Sequence, residues 1–260
     1  MDEQESMVYF HEVFNPSLPR LGPGDEASSM RAMGVLRSAM AQAPGRRTSD
    51  SLRILDLGCG TGAPTLLLAR HLDATIVAVD NYPPYLEELR RRAETQGVSE
   101  KISTRLQDVR TLELDESSFD VVWCEGAMFC LGFRETLAAC RRWLTPGGFL
   151  ATSELCWLKP EPPAECRDYL TAAYPPITDV AGNLAIIRDA GFRVLDHFAL
   201  PTRAWLEEFY GPLEERLHRL QPAAAADSAR REVYAACQTE VDMYRKYSEY
   251  YGYAFFLMSR

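Results

Sequence analysis

Three glycines at alternate positions stand where a run of apolar residues ends. The segment Ile54-Leu-Asp-Leu-Gly-Cys-Gly-Thr-Gly62 is typical of a buried strand that enters a glycine turn, and a helix is predicted to open at about Pro64. Glycine suits this turn because the backbone must bend sharply and approach a ligand so closely that a Cβ atom would collide. The free N–H groups of the helix start favour an anionic part of that ligand, such as a carboxylate or a phosphate.

Two acidic residues end the next two predicted strands. Asp80 comes 20 residues after Gly60, where a carboxylate accepts hydrogen bonds from both hydroxyls of a ribose and repels a 2′-phosphate. Asp108 would accept a hydrogen bond from an adenine amine while the Val109 N–H reaches a ring nitrogen. Each acid could instead be a turn, capping or solvated strand-end residue. In combination with the glycine turn they predict an adenosine-type ligand.

The glycine turn also allows a second interpretation. Gly58-x-Gly60-x-x-Ala63 satisfies a relaxed dinucleotide fingerprint, which would fit a dinucleotide-dependent oxidoreductase. The sequence shows no obvious Tyr-x-x-x-Lys or comparable hydride-transfer pair near the sheet. This alternative therefore stays open, but it has less support.

The elements that must position these residues alternate between strands and helices, which is typical of a parallel α/β sheet. The predicted strands are 52–57, 75–80, 102–106, 119–124, 149–156, 192–200 and 253–258. A helix is predicted over residues 178–190. The roughly 50 residues between 201 and 250 have helical patterning, and we expect them to pack over one end of the sheet as a substrate-facing cap.

These motifs, in this order and spacing, resemble the class I S-adenosylmethionine-dependent methyltransferase superfamily. The resemblance covers residues 50–156 and is carried by the following segments: Leu55-Asp-Leu-Gly-Cys-Gly-Thr-Gly62, Asp80, Gln107-Asp-Val109, Phe119-Asp-Val-Val122 and Leu144-Thr-Pro-Gly-Gly148. Three further segments resemble a narrower, type 11-like bacterial group: Gly22-Pro-Gly24, Glu125-Gly-Ala-Met-Phe-Cys-Leu-Gly-Phe133 and Glu249-Tyr-Tyr-Gly-Tyr-Ala-Phe-Phe256.

The resemblance implies a doubly wound, Rossmann-like sheet of seven strands. It is mostly parallel, its last strand is antiparallel, and the helical cap is inserted before that strand. The sequence then divides into an N-terminal helical lid segment (1–45), a cofactor-binding core (46–156) and a C-terminal part with the cap (157–260), within one compact domain.

The resemblance also implies that the cofactor is S-adenosylmethionine and assigns roles to matching residues. Gly58, Cys59 and Gly60 would line its methionine and ribose parts, and Asn81 would contact the edge of the adenine. Glu125 would contact the methionyl ammonium, since a carboxylate suits that cation. Arg20, just before the Gly-Pro-Gly turn, would contact the methionyl carboxylate, although an N-terminal arginine is more often solvated.

Methyl transfer depends mainly on the alignment of the reactants and the exclusion of water, so few fixed catalytic residues are expected. An acceptor that carries a proton near neutral pH would need a base, and the candidates are His11, Glu125, Glu154 and His197. Glu154 is the better candidate because it lies at the carboxyl edge of the fifth strand, where ligands of such sheets bind. A regulator that binds the cofactor without turnover is a further alternative, because no signature base is present.

Composition limits the partners. The 260 residues include 28 basic and 37 acidic side chains, a net charge of −9, which disfavours nucleic acid and membrane surfaces and favours a small-molecule acceptor. No apolar run approaches the roughly 20 residues of a membrane span, and the acidic N-terminus is unlike a secretory signal, so a cytoplasmic location is expected.

The seven cysteines are predicted to be reduced and mostly buried, with no metal site. The sequence leaves the oligomeric state undetermined. The Arg90-Arg-Arg92 run is predicted to be a solvated helix face.

Overall fold

The computed structural model describes residues 3–42, 51–225 and 227–260. The strands are β1 (Leu52–Leu57), β2 (Ala74–Asp80), β3 (Ile102–Leu106), β4 (Phe119–Glu125), β5 (Leu144–Trp157), β6 (Thr178–Asp179), β7 (Arg193–Ala199) and β8 (Tyr251–Ser259). The helices are α1 (Glu3–Val13), α2 (Glu26–Gln42), α3 (Ala63–His71), α4 (Pro83–Thr95), α5 (Phe133–Trp143), α6 (Ala164–Ala173), α7 (Val180–Asp189), α8 (Thr202–Trp205), α9 (Gly211–Ala224) and α10 (Ser228–Tyr247). A π-helix, Leu206–Tyr210, joins α8 to α9.

The strands form one sheet in the order β3-β2-β1-β4-β5-β8-β7, with the two-residue β6 beside β5. Neighbouring strands from β3 through β5 are parallel, whereas β8 runs antiparallel to both β5 and β7. The predicted Rossmann-like, mostly parallel sheet with an antiparallel last strand is confirmed, and β6 is an addition that the sequence did not predict. The chain winds outward in opposite directions from β1 and β4, so the crevice at their carboxyl ends is the topological switch point where such sheets bind ligands.

The fifth strand begins earlier than the sequence predicts. Phe119 pairs with Leu144, but Val121 pairs with Phe149, so the Thr145-Pro-Gly-Gly148 segment bulges out of the ladder. The predicted turn is therefore an irregularity near the start of β5. The helix predicted from residue 178 also starts two residues late, because Thr178 and Asp179 first pair with the end of β5.

The sheet is covered by helices on both faces, which explains why successive apolar residues of β1, Ile54 and Leu55, are both fully buried. On one face, Leu55 packs in a cluster that includes α5 and α7 residues such as Leu137 and Ile187. On the other face, Ile54 packs with residues of α2 and α3, among them Leu36 and Leu68. Successive residues of the strand thus point to opposite, equally buried faces.

The helical segment between β7 and β8 forms a third apolar cluster together with α1 and α6. Tyr244 of α10 stacks on Trp205 with ring centroids 4.3 Å apart, and both rings contact Tyr251 at the start of β8. Trp157, at the carboxyl end of β5, packs against the same cluster. The predicted helical segment before the last strand is confirmed, and it lies at this end of β5; its role in facing a substrate stays a prediction.

Arg92 fastens the segment between α1 and α2 onto the glycine turn. Its guanidinium donates to the backbone carbonyls of Pro16, Leu18 and Pro19 and to the Thr61 hydroxyl, the last at 3.0 Å. The prediction of a solvated helix face is wrong for this residue, whose side chain is 17% exposed. An arginine is required because its five N–H donors can satisfy several carbonyls at once.

The predicted divisions of the chain stay predictions. The boundary at residues 45 and 46 lies outside the described residues, and the boundary at 156 and 157 falls inside β5. Among the helices of the described ranges, none combines the length and the apolar composition needed to cross a bilayer. The cysteines are buried apart from Cys130, in line with the expectation that most of them pack as small apolar groups.

Candidate functional site

The glycine turn packs directly against the loop that follows β4. Gly58 and Gly60 have φ values of +63° and +52°, a backbone conformation that L side chains rarely adopt. A Cβ atom at Gly58 would lie 2.3 Å from the Cβ of Ala127, so this position excludes every larger residue. Gly62 then provides the left-handed cap from which α3 begins.

A cleft of about 560 Å³ opens at the carboxyl ends of β1 and β4. Its lining residues are Arg20, Leu21, Gly22, Pro23, Asp56, Gly58, Cys59, Gly60, Thr61, Ala63, Pro64, Glu125, Gly126 and Ala127. The structure thus brings five predicted site residues together: Arg20, Gly58, Cys59, Gly60 and Glu125. The other four, Asp80, Asn81, Asp108 and Val109, do not line this cleft.

Glu125 is held by three partners at the end of β4. Its carboxylate accepts from Arg20 Nη2 at 2.6 Å, from Ser29 Oγ at 2.6 Å and from Trp123 Nε1 at 2.9 Å. Arg20 and Glu125 have side chains that are only 13% and 5% exposed. Arg20, predicted to contact a ligand carboxylate, is therefore paired with the acid that was predicted to contact the ammonium. Neither this pairing nor the Ser29 contact was predicted from the sequence.

Asp80 connects the end of β2 to the glycine turn. One carboxylate oxygen accepts the Gly60 N–H at 2.9 Å, and the other accepts the Tyr82 N–H at 3.0 Å. Burial raises the pKa of Asp80, and these N–H donors oppose the shift. A carboxylate has about four acceptor positions, so lone pairs remain for further donors. Asn81, the next residue, is exposed.

Asp108 lies at the end of β3 and caps a short 3₁₀ turn. Its carboxylate accepts the Arg110 N–H at 2.8 Å and pairs with the Arg110 guanidinium at 2.5 Å. These hydrogen bonds from Arg110 lower the pKa of Asp108. Val109 is partly buried within the same turn. The adenine contacts of these two residues stay predictions.

Asp56 is a cleft residue to which the sequence reasoning assigned no role. It is 1% exposed, and it accepts a hydrogen bond from Thr65 Oγ1 at 2.5 Å. Burial raises the pKa of Asp56 to about 7, and the nearby carboxylates of Glu125 and Asp80 add to the shift. An acid inside the otherwise apolar run 54–57 was the signal that could have revealed it.

A second cavity, of about 440 Å³, lies beside the cleft. Its walls include Gly126, Phe129, Ser153, Glu154, Tyr174 and Tyr253. Gly126 lines both cavities, and its N–H donates to Ser153 Oγ at 2.9 Å, which joins the ends of β4 and β5. The cleft and the second cavity are therefore neighbours across the Gly126 backbone.

Glu154 is the titratable carboxyl of the second cavity. It is 4% exposed, and burial raises its pKa to about 7, against the opposing hydrogen bond from the Tyr174 hydroxyl. The sequence placed Glu154 at the correct edge of the sheet. Tyr174, which follows α6, was not predicted to contact it, and Tyr253 had been placed only at the start of the last predicted strand.

The remaining candidate bases lie elsewhere. His11 stacks on Tyr82 with ring centroids 3.6 Å apart, and His197 is exposed on β7. Neither residue lines the cleft or the second cavity. Of the predicted bases, Glu125 and Glu154 are the two that the structure places at these cavities.

Comparison with known proteins identifies the central part of the chain. Residues 54–148 match a family model described as a methyltransferase domain. The methyltransferase GfsG of Streptomyces halstedii is 33% identical over 104 residues. That alignment covers 40% of this chain and 37% of the relative, so the chain spans less than half of the relative's length.

Two solved structures share the fold over nearly the whole chain. YjhP from E. coli has a TM-score of 0.81 at 23% identity, covering 97% of this chain and 99% of its own. A methyltransferase from Geobacter sulfurreducens, solved in complex with S-adenosyl-L-homocysteine, has a TM-score of 0.75 at 22% identity, covering 97% and 98%. At this level of identity the likeness shows the architecture, including the N-terminal segment and the cap.

Proposed function

Residues 54–148 are a class I S-adenosylmethionine-dependent methyltransferase domain, and from this premise we propose that the chain transfers a methyl group from S-adenosylmethionine to a small-molecule acceptor. The cleft of about 560 Å³ is the proposed cofactor site.

The distribution of charge in the cleft carries this proposal. Its walls combine one guanidinium, Arg20, with two buried carboxyl groups, Asp56 and Glu125, and with the N-terminal end of α3. The methionyl end of the cofactor is a zwitterion next to a sulfonium cation. A carboxylate is favoured at a helix N-terminus or a guanidinium, and the two cations are favoured near the acids.

The residue roles follow from the contacts. Gly58, Cys59 and Gly60 would lie along the methionine and ribose parts, where the absence of Cβ atoms lets the backbone approach. Asp80 is held by the N–H groups of Gly60 and Tyr82, so its unused lone pairs would accept the ribose hydroxyls. Asn81, Asp108 and Val109 would border the adenine beyond the cleft.

The bound cofactor supplies a methyl group made electrophilic by the positive sulfur. The chain's own contribution is to hold the two reactants in line and to exclude water. Leu21 and Pro23, from the segment that Arg92 fastens, cover the cleft, and a Cβ at Gly60 would touch the Leu21 side chain at 3.0 Å. The second cavity, which eight residues line beside the cleft, has room for a compact acceptor.

Titration with S-adenosylhomocysteine, the demethylated product, tests the proposal. We expect calorimetric binding by the native chain and a loss of at least tenfold in affinity for Asp80→Ala. Asp73→Ala, at the exposed opposite end of the same strand, is the matched control and should bind as the native chain does. An absence of binding at millimolar ligand, or equal affinities for the two variants, would contradict the proposal.

The compartment is a separate matter. A cytoplasmic location stays a prediction; the cysteines are free in the structure, as a reducing compartment would keep them. Fractionation of the cells that produce the protein checks it.

A further inference from the structure

The second cavity contains a buried carboxyl group that no basic side chain neutralises. Within the described residues, no lysine or arginine forms an ion pair with Glu154, and the residues that line the cavity include no basic side chain. The groups that donate to the carboxyl, the Tyr174 hydroxyl and the Leu155 N–H, are both neutral. A desolvated carboxylate without a counter-charge is costly, so it attracts a cation more strongly than a solvated acid does.

The other walls suit an organic cation. Tyr174, Tyr253 and Phe129 present aromatic rings around Glu154, and the ring faces attract a positive charge electrostatically. Phe129 is 58% exposed, which is unusual for a phenylalanine and places an apolar ring at the entrance. An anionic acceptor would be repelled by Glu154 and would find no cation in this wall.

We propose that the second cavity binds the methyl acceptor as a small organic ammonium ion and that Glu154 takes the proton from its nitrogen. This inference rests on the proposed function, because it assigns the acceptor of the same reaction. Gly126 separates the cavity from the cleft by a single residue, so an acceptor nitrogen beside Glu154 lies next to the proposed cofactor site.

The ammonium transfers one N–H proton to a Glu154 carboxylate oxygen, and the nitrogen lone pair then attacks the methyl carbon of the sulfonium. The N–C bond forms as the C–S bond breaks, and the electron pair of that bond stays on sulfur as a neutral thioether. The positive charge moves from sulfur to the methylated nitrogen, and the Glu154 proton is later lost to solvent.

A buried glutamate can also serve the fold alone, and Glu240 provides the matched case. Its carboxylate accepts the Tyr210 hydroxyl at 2.9 Å, and burial raises its pKa as it does for Glu154. Glu240 lies on α10 and lines neither cavity. Glu240→Gln therefore removes the same charge from a similar tyrosine contact without touching the proposed acceptor site.

Three aromatic probes of similar size test whether the cavity prefers a positive charge. Benzylamine is a cation near neutral pH, benzyl alcohol is neutral and benzoate is an anion. Each is titrated into the native chain saturated with S-adenosylhomocysteine. We expect benzylamine to bind at least tenfold more tightly than benzyl alcohol, and benzoate not to bind. Glu154→Gln should lose this preference, keep its affinity for the alcohol and keep its affinity for S-adenosylhomocysteine. Glu240→Gln should behave as the native chain does.

The outcomes distinguish the two proposals. If S-adenosylhomocysteine itself does not bind, the proposed function fails. If it binds but benzylamine shows no advantage over benzyl alcohol, or if Glu154→Gln keeps that advantage, the ammonium site is wrong and the proposed function stands. Because the comparison of the probes uses the native chain, the test still decides if Glu154→Gln does not fold.

Discussion

Arg20 and Glu125 are 105 residues apart in the chain, yet their side chains meet at 2.6 Å between Nη2 and Oε2 in the wall of the cleft. The contact joins the N-terminal segment to the carboxyl end of β4. Arg20 also packs on Gly24, where a Cβ atom would lie 2.4 Å from its Nη2 atom. The covering segment is thus held in place by a nearly buried ion pair.

Arg20→Ala should lower both stability and cofactor affinity. Removal of one partner leaves Glu125 buried beside Ser29 and Trp123 without its counter-charge, and we expect a loss of about 3–5 kcal/mol in the free energy of unfolding. Urea denaturation at pH 7 measures the first effect, and titration with S-adenosylhomocysteine measures the second.

Lys159→Ala is the control for this prediction, because Lys159 and Glu249 form an ion pair with both side chains more than half exposed. That change should cost less than about 1 kcal/mol. Equal losses for the two variants would show that the Arg20 contact is a surface pair in solution.

Asp56→Asn should change the pH dependence of stability. The pKa of Asp56 is about 7 in the fold, above its usual value of 3.8, so its stabilising contribution is present at low pH and is lost as pH rises through 7. Between pH 5.5 and 8 this acid alone costs about 2 kcal/mol. Asn cannot ionise, and its amide oxygen can still accept the Thr65 hydroxyl.

Urea denaturation of both proteins at the two pH values measures this difference. Glu154, whose pKa is also raised to about 7, contributes in the same direction and should leave a residual slope in the variant. An unchanged pH dependence in Asp56→Asn would mean that this carboxyl ionises normally in the fold.

Gly126→Ala should impair the acceptor cavity. Gly126 has a φ of +64°, and an added Cβ would lie 3.0 Å from Cε2 of Tyr253. The Tyr253 ring lines the cavity and must move by a few tenths of an ångström, so we expect an affinity for benzylamine at least fivefold weaker. The left-handed backbone should also cost about 1–2 kcal/mol in stability.

Gly97→Ala is the control that separates the backbone strain of an alanine at positive φ from the contact with Tyr253. Gly97 has a φ of +66°, but among the described residues other than its two chain neighbours no atom lies within 4 Å of the added Cβ. This variant should lose similar stability and keep its benzylamine affinity. If both variants bind benzylamine equally, Tyr253 does not shape the proposed acceptor site.

The strands and the glycine turn could be predicted because their signals are local. Leu52–Leu57 is a mostly apolar segment whose residues 54–57 are buried, and the turn after it requires positive φ values at Gly58 and Gly60. Asp80 and Glu154 could be placed at the carboxyl edge because parallel strands end together. The bulge at 145–148 was not predicted, since it depends on the pairing of β5 with β4.

Arg92 and Tyr174 make contacts with distant parts of the chain that local sequence patterns cannot predict. Arg92 belongs to a run of three arginines on one helix, and its role depends on carbonyls more than 70 residues earlier in the chain. Tyr174 reaches Glu154 only because α6 folds back over the end of β5.

The sequence by itself determined the order of strands and helices, the glycine turn and the acids at the strand ends, because apolar periodicity and backbone constraints act over a few neighbouring residues. The tertiary structure alone decided that Arg20 meets Glu125, that Asp56 and Glu154 lose their solvent, and that Gly126 stands between two cavities. Burial and charge pairing depend on which distant segments share space, and a linear spacing does not encode that.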